Sequence, residues 1–222
     1  MIQDDKKNMI TASDIAALRA KTGAGMMDCK NAMEECGGNV EQAVDWLRKK
    51  GVMKAAKRAD KVAAEGLVYA YIHAGGKIGV LVEVNCETDF VGKTDSFKAL
   101  CNDIAMHIAA VNPKYLTREE VLAEDLEREK AIYREQLQAE GKPAEMIEKI
   151  LEGKMSKYYS EFCLLEQPFI KDENSTIEKM LQAKTGEIGE KVTIRRFARF
   201  ELGEGIEKKT KDFAEEVAEQ LK

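Results

Sequence analysis

Ile78-Gly79-Val80-Leu81-Val82-Glu83-Val84-Asn85-Cys86, running on into Glu87-Thr88-Asp89-Phe90-Val91, is the stretch on which the fold turns. Ile78, Val80, Val82, Val84 and Cys86 alternate with Gly79, Glu83, Asn85 and Glu87, and a period of two marks a strand buried on one face. Where the apolar pattern stops, a carboxylate and a phenyl ring stand in a polar stretch that continues through Gly92-Lys93-Thr94-Asp95. The residues alone leave two readings of Phe90 open. It enters a partner from a rigid strand end, or it folds back as a lid on its own sheet, since apolar groups make up more than half of ordinary protein surface.

Working outward, Leu67 to Ile72 pairs with this strand as a hairpin around His73-Ala74-Gly75-Gly76-Lys77. A helix from about Asp95 follows, with Phe97, Leu100, Cys101, Ile104, Ile108 and Val111 on one face to cover the sheet, ended by Asn112-Pro113. His107, at the edge of that face, reads as a packed residue rather than a base. Lys191 to Leu202 is a third strand. Its Arg195, Phe197 and Arg199 share one face, which reads as a solvated or salt-bridged surface, with a single-stranded RNA platform as the alternative.

Upstream, residues 11 to 51 pattern as three short helices. Thr11 and Asp14 make a capping box ahead of Ile15, Leu18 and Arg19. Thr22-Gly23-Ala24-Gly25 ends the first helix, Met26 to Cys36 forms the second, and Asn39 with Gln42 caps a third that Gly51 closes. Lys54, Lys57, Arg58 and Lys61 then mark a basic connection that reads as a solvated helix, with contact to nucleic acid as the alternative. Downstream, two helical stretches joined by Gly141-Lys142-Pro143 make an antiparallel hairpin. Thr117 and Glu120 open the first, and Ile147, Leu151, Met155, Tyr158 and Phe162 line the second. The apolar stripe is narrow, so the hairpin projects as an arm. Ser175 and Glu178 cap a helix to about Ala183. Thr210 to Leu221, with Phe213, Val217 and Leu221, is a terminal amphipathic helix.

The fold class is therefore α+β. It divides into a tail (1–10), a three-helix domain (11–55), a basic linker (56–65), a core with an antiparallel sheet (66–205) carrying the arm at about 118–163, and a C-terminal helical module (206–222). The 222 residues are 44% hydrophobic and 34% charged, enough for a core and a well-solvated surface. A net charge of −5 argues against a general polyanion binder. No run approaches the ~18 apolar residues of a membrane span, and the first residues lack a signal-peptide core. Five cysteines without a Cys-x-x-Cys pair read as reduced, mainly buried thiols of a cytoplasmic protein. Two histidines argue against a zinc site. There is no nucleophile elbow, phosphate-binding loop or acid pair with a base, which leaves a partner-binding protein rather than an enzyme.

Several segments, in order, resemble the translation elongation factor Ts family. They are Thr22-Gly23-Ala24-Gly25-Met26-Met27-Asp28-Cys29-Lys30, Glu83 through Val91, Ile104-Ala105-Met106-His107, Gln167-Pro168-Phe169, and Gly203-Glu204-Gly205-Ile206-Glu207-Lys208. The resemblance implies a nucleotide-exchange factor for the GTPase elongation factor Tu, with a ubiquitin-associated-like N-terminal domain, an α+β core, a helical arm and a C-terminal module. It implies that Asp89 and Phe90, within Thr88-Asp89-Phe90-Val91, act as a wedge near the switch region that orders magnesium. Arg19, Met26 and Met27 match positions that contact a surface helix of the GTPase. His73 fits a histidine that pushes near its phosphate loop. No cofactor, direct nucleic-acid contact or membrane is implied. Longer members carry two copies of the strand–strand–helix unit, whereas this chain has room for one, between about Gly66 and Asn112. The missing copy predicts a homodimer through the core sheet, with His73 of one chain and Phe90 of the other addressing the same GTPase. An adaptor without exchange activity, built on the N-terminal domain and the arm, is the remaining alternative.

Overall fold

The computed structural model describes residues 10–206. The expected terminal helix, with Phe213, Val217 and Leu221, and the tail before Ile10 lie outside the described residues. Three helices open the chain: α1 (Ala12–Thr22), α2 (Met26–Glu35) and α3 (Val40–Arg58). The capping box forms as the spacing requires. The Thr11 N–H donates to the Asp14 carboxylate at 3.0 Å, and the Asp14 N–H donates back to the Thr11 hydroxyl at 3.2 Å. Leu18, Cys29, Ala32, Met33, Ala43 and Leu47 are the buried centre of this unit.

Gly51 does not close the third helix, which continues to Arg58. At Gly51, α3 crosses a later helix so closely that a Cβ on Gly186 would sit 2.6 Å from the Gly51 Cα. The glycine this contact requires is Gly186; a Cβ on Gly51 would find its nearest neighbour at 4.0 Å, and one glycine inside α3 costs too little helix propensity to end it. The basic connection is thus mostly helix, and part of it is engaged. Lys54 pairs with Asp28 at 2.6 Å and Arg58 with Glu87 at 2.8 Å.

Next come β1 (Glu65–Ile72) and β2 (Ile78–Cys86), then one helical turn, α4 (Asp89–Gly92), and the long helix α5 (Asp95–Val111). The arm follows as α6 (Ala123–Ala139) and α7 (Ala144–Phe162), then a small hairpin, β3 (Pro168–Phe169) with β4 (Asp172–Thr176). The helix α8 (Ile177–Ile188) and the strand β5 (Thr193–Glu201) complete the described chain. The main sheet is antiparallel in the order β1-β2-β5. The alternation of β2 is realised: Val80, Val82, Val84 and Cys86 are buried under Phe97, Leu100, Cys101, Ile104 and Ile108 of α5. Asn112, in the left-handed region at φ 52°, ends α5.

Three further expectations need correction, and one element is new. Thr117 does not cap a helix. Residues Arg118–Glu120 form a 3-10 turn, Glu120 accepts from the Leu116 N–H, and α6 starts only at Ala123. The cap of α8 is Thr176, not Ser175, and that helix runs on to Ile188, with Gly189 as its C-cap. The β3–β4 hairpin was not anticipated, because strands of two and five residues are too short to show alternation. Finally, Arg195, Phe197 and Arg199 do not share a face. Glu83 pairs with Arg196 and Val84 with Ile194, so Arg195 sits in a β-bulge. Beyond the bulge, Phe197 packs into the core. The Arg199 side chain is 8% exposed, and its Nε donates to the Ala109 carbonyl at 3.3 Å near the end of α5. With two of the three groups turned inward, no RNA-binding platform exists there.

Candidate partner-binding surface

Phe90 stands in solvent, 80% exposed, which excludes the lid reading. Its mount is local. Cys86 ends β2, and its buried thiol donates to the Thr88 carbonyl at 3.1 Å. Burial above all pushes that thiol's pKa up, so it stays a donor. Thr88 then opens the α4 turn, but its hydroxyl does not cap that turn. Instead the Thr88 N–H and hydroxyl reach the two oxygens of the Glu190 carboxylate, at 3.0 and 2.7 Å. Asp89 is paired with Lys93 at 2.6 Å, and this bond holds its carboxyl below the usual range. Val91 faces inward against the core. Gly92 is buried where the turn passes the start of β1, and a Cβ there would lie 3.2 Å from the Gly66 Cα and carbonyl oxygen. Gly66 itself is at φ +131°, with room for no side chain: its Cβ would fall 2.1 Å from the Val84 oxygen. The strand end therefore presents an acid and a ring side by side in water on a turn tied down at both ends.

Arg19, Met26 and Met27 lie around a second turn. Gly23, at φ 69°, ends α1 by donating to the Arg19 carbonyl at 2.8 Å, and Gly25 starts α2. Arg19, Met26 and Met27 are all exposed. Behind them Asp28 holds Lys50 at 3.1 Å and Lys54 at 2.6 Å, and the Lys54 bond chiefly lowers the Asp28 pKa. Two adjacent exposed methionines at a helix start form an adaptable apolar patch.

His73 is exposed in the β1–β2 loop, where its Nδ1 meets the Tyr71 hydroxyl at 2.9 Å. The register places it at the Ile78 end of β2, whereas Phe90 follows the Cys86 end. At about 3.4 Å per residue the two are roughly 25–30 Å apart. One chain does not bring them together.

His107 is fully buried. Its Nε2 meets Gln167 Oε1 at 3.0 Å, and its Nδ1 lies 3.4 Å from the Ile170 N–H. The Ile170 donor places the ring proton on Nε2. Gln167 in turn donates to the Glu161 carbonyl at 2.6 Å, so the pair joins α5 to the base of the arm. Gly66, Gly92 and Glu190, which shape the Phe90 turn, were not singled out from sequence. A glycine breaking the start of a strand pattern was the only available signal.

A model of the family described as elongation factor TS matches residues 8–204. The chain belongs to this family. It is 59% identical over 209 residues to the elongation factor Ts of Geotalea uraniireducens (strain Rf4), a match covering 94% of this chain and 97% of that relative. It is 56% identical over 213 residues to that of Heliobacterium modesticaldum, covering 96% and 99%. With that of Syntrophomonas wolfei it shares 58% over 214 residues, covering 96% of this chain and all of the relative. These elongation factor Ts proteins are matched over nearly their whole length, so they have no more room for a second core unit than this chain has. Membership of this family over nearly the whole chain does not favour an adaptor without exchange activity built on the N-terminal domain and the arm. Among the described residues no helix is long and apolar enough to cross a membrane.

Proposed function

We infer that this chain is a guanine-nucleotide exchange factor that binds elongation factor Tu and promotes GDP release during translation elongation. Family membership supports the activity, and the observation that carries the mechanism is the solvent-exposed Phe90 on its anchored turn. A ring held on a fixed mount loses little conformational freedom when a partner closes around it. Asp89 and Phe90 enter near the switch region that orders magnesium, flanked by Thr88 and Val91, and disturbing the magnesium and phosphate contacts weakens GDP. By linkage GDP weakens the factor to the same degree, at about 1.4 kcal/mol for each tenfold of displacement. No covalent bond is made or broken. Arg19, Met26 and Met27 supply a separate docking contact on a surface helix of the GTPase.

His73 acts near the phosphate loop only if a second chain brings it there. The sheet face away from α5 supports a homodimer. Val68, Ile72, Leu81 and Phe200 are exposed on it, and the register sets Ile72, Gly79 and Phe200 side by side across the three strands. Two such faces packed together place His73 of one chain and Phe90 of the other within reach of one GTPase. The function is tested by loading elongation factor Tu with fluorescent GDP and adding a small molar fraction of the chain. Accelerated release with turnover is expected, and a release rate equal to that without the chain overturns the reading.

A further inference from the structure

We propose that Glu190, together with the reciprocal bonds between Glu87-Thr88 and Glu190-Lys191, positions the Phe90 turn, and that without this lock the chain docks on its GTPase but exchanges nucleotide slowly. The proposal rests on the exchange reading above. Two dipeptides, 102 residues apart in the chain, bind each other crosswise. The Thr88 N–H and hydroxyl donate to the two oxygens of Glu190 at 3.0 and 2.7 Å. The Lys191 N–H donates to Glu87 Oε1 at 2.7 Å. Each acidic side chain thus accepts the backbone N–H of the opposite pair. The lock also reaches the end of α3: Arg58 donates to the second oxygen of Glu87 at 2.8 Å, and the Lys191 ammonium to the Ala59 carbonyl at 2.6 Å.

Physical reasons make this a positioning device rather than incidental surface bonding. A single helical turn has no stability of its own, because ordering its backbone costs more than one hydrogen bond returns. Thr88 makes no side-chain bond to cap the turn that follows it. The direction of that turn is therefore set from outside, and a carboxylate gripping one residue at two points fixes it against rotation as well as displacement. The α3 end belongs to the same helical unit that carries Arg19, Met26 and Met27. The lock consequently places the ring and the docking methionines in one rigid frame. A ring free to swing still allows docking through the methionines but meets the nucleotide domain in the wrong orientation most of the time.

The test compares full-length wild type, Glu190→Ala, Glu190→Gln and Thr88→Val in stopped-flow release of fluorescent GDP from elongation factor Tu, with calorimetric affinity for the nucleotide-free GTPase. Glu190→Ala is expected to slow exchange by about tenfold, the scale of losing bonds to a charged acceptor, with affinity changed by less than about threefold. Glu190→Gln is expected to stay within about threefold of wild type, since its amide accepts from the Thr88 N–H and donates to a hydroxyl that works in both senses. Thr88→Val keeps the side-chain shape and removes one of the two arms, so it should slow exchange by an intermediate factor, and it serves as the probe if Glu190→Ala does not fold. An unchanged rate in Glu190→Ala or Thr88→Val overturns the proposal, as does a fall in affinity that matches the fall in rate. Should wild type itself fail to release GDP, the exchange reading falls. The lock is then judged by amide hydrogen exchange at residues 88–92, where protection equal in wild type and Glu190→Ala refutes it.

Discussion

Phe90→Ala is expected to slow GDP release more than it weakens binding. The ring touches little of its own chain, so its removal leaves the fold intact, and ~2–4 kcal/mol of contacts are lost only where the ring enters the partner. Stopped-flow release against calorimetric affinity separates the two, and equal rates for wild type and variant dismiss the wedge. His107 is the residue whose chemistry bears on stability. Burial lowers its pKa below the ordinary 6.5, against the opposing pull of Gln167. The unfolded chain therefore takes up the proton first as pH falls. The stability contributed by the neutral ring is complete above 6.5 and drains away as pH drops from there towards the lowered folded value. The urea midpoint should fall between about pH 7.5 and 5.5, and His107→Gln should flatten that slope. An identical slope in the variant excludes His107 as its source. The Cys101 and Cys163 thiols are inert by comparison, since burial pushes them up to about 12 and about 11.

At the scale of elements, the crossing of α3 and α8 gives an asymmetric pair of expectations. A Cβ on Gly186 would stand 2.6 Å from the Gly51 Cα and 2.9 Å from its carbonyl oxygen, so Gly186→Ala must force the helices apart. It should destabilise by ~1–3 kcal/mol. A Cβ on Gly51 finds its nearest neighbour at 4.0 Å. Gly51→Ala should therefore gain ~0.5–1 kcal/mol of helix propensity. Urea denaturation of both variants checks the contrast, and equal effects would mean the crossing is looser than its geometry. The start of α2 carries the next expectation. Since Met26 and Met27 are both exposed, replacing the pair by Ser should leave the helical circular dichroism nearly unchanged while weakening complex formation with elongation factor Tu. Calorimetry that finds the affinity unaltered removes them from the docking surface.

For the whole molecule, the exposed face of the β1-β2-β5 sheet decides the expectation. Val68, Ile72, Leu81 and Phe200 lie in the open on a three-stranded sheet whose other side is the core. Proteins seldom leave such an apolar face uncovered. Light scattering at tens of micromolar should return twice the chain mass of 24.8 kDa, and Leu81→Lys should return the single mass. A wild-type mass near 24.8 kDa at that concentration rules out the homodimer, and with it the joint action of His73 and Phe90 from two chains.

What the sequence by itself determined was whatever a local period or a local cap encodes. The alternation from Ile78 to Cys86, the apolar face from Phe97 to Ile108, the Thr11–Asp14 box and the Asn112 stop all depend on residues within a few positions of one another, and all are present in the fold. The family, too, was readable from ordered local segments. Tertiary structure alone decided the rest, because it depends on what meets a residue from far along the chain. The close crossing at Gly51 exists because Gly186, from far along the chain, has no side chain to hold the helices apart. Phe197 and Arg199 turn inward because a bulge at Arg195 shifts the register against β2. Phe90 stands in water on a turn whose first residue, Thr88, is held by Glu190 from far along the chain. No spacing in the sequence announces any of these meetings, since side chains brought together by folding leave no periodic trace in the chain.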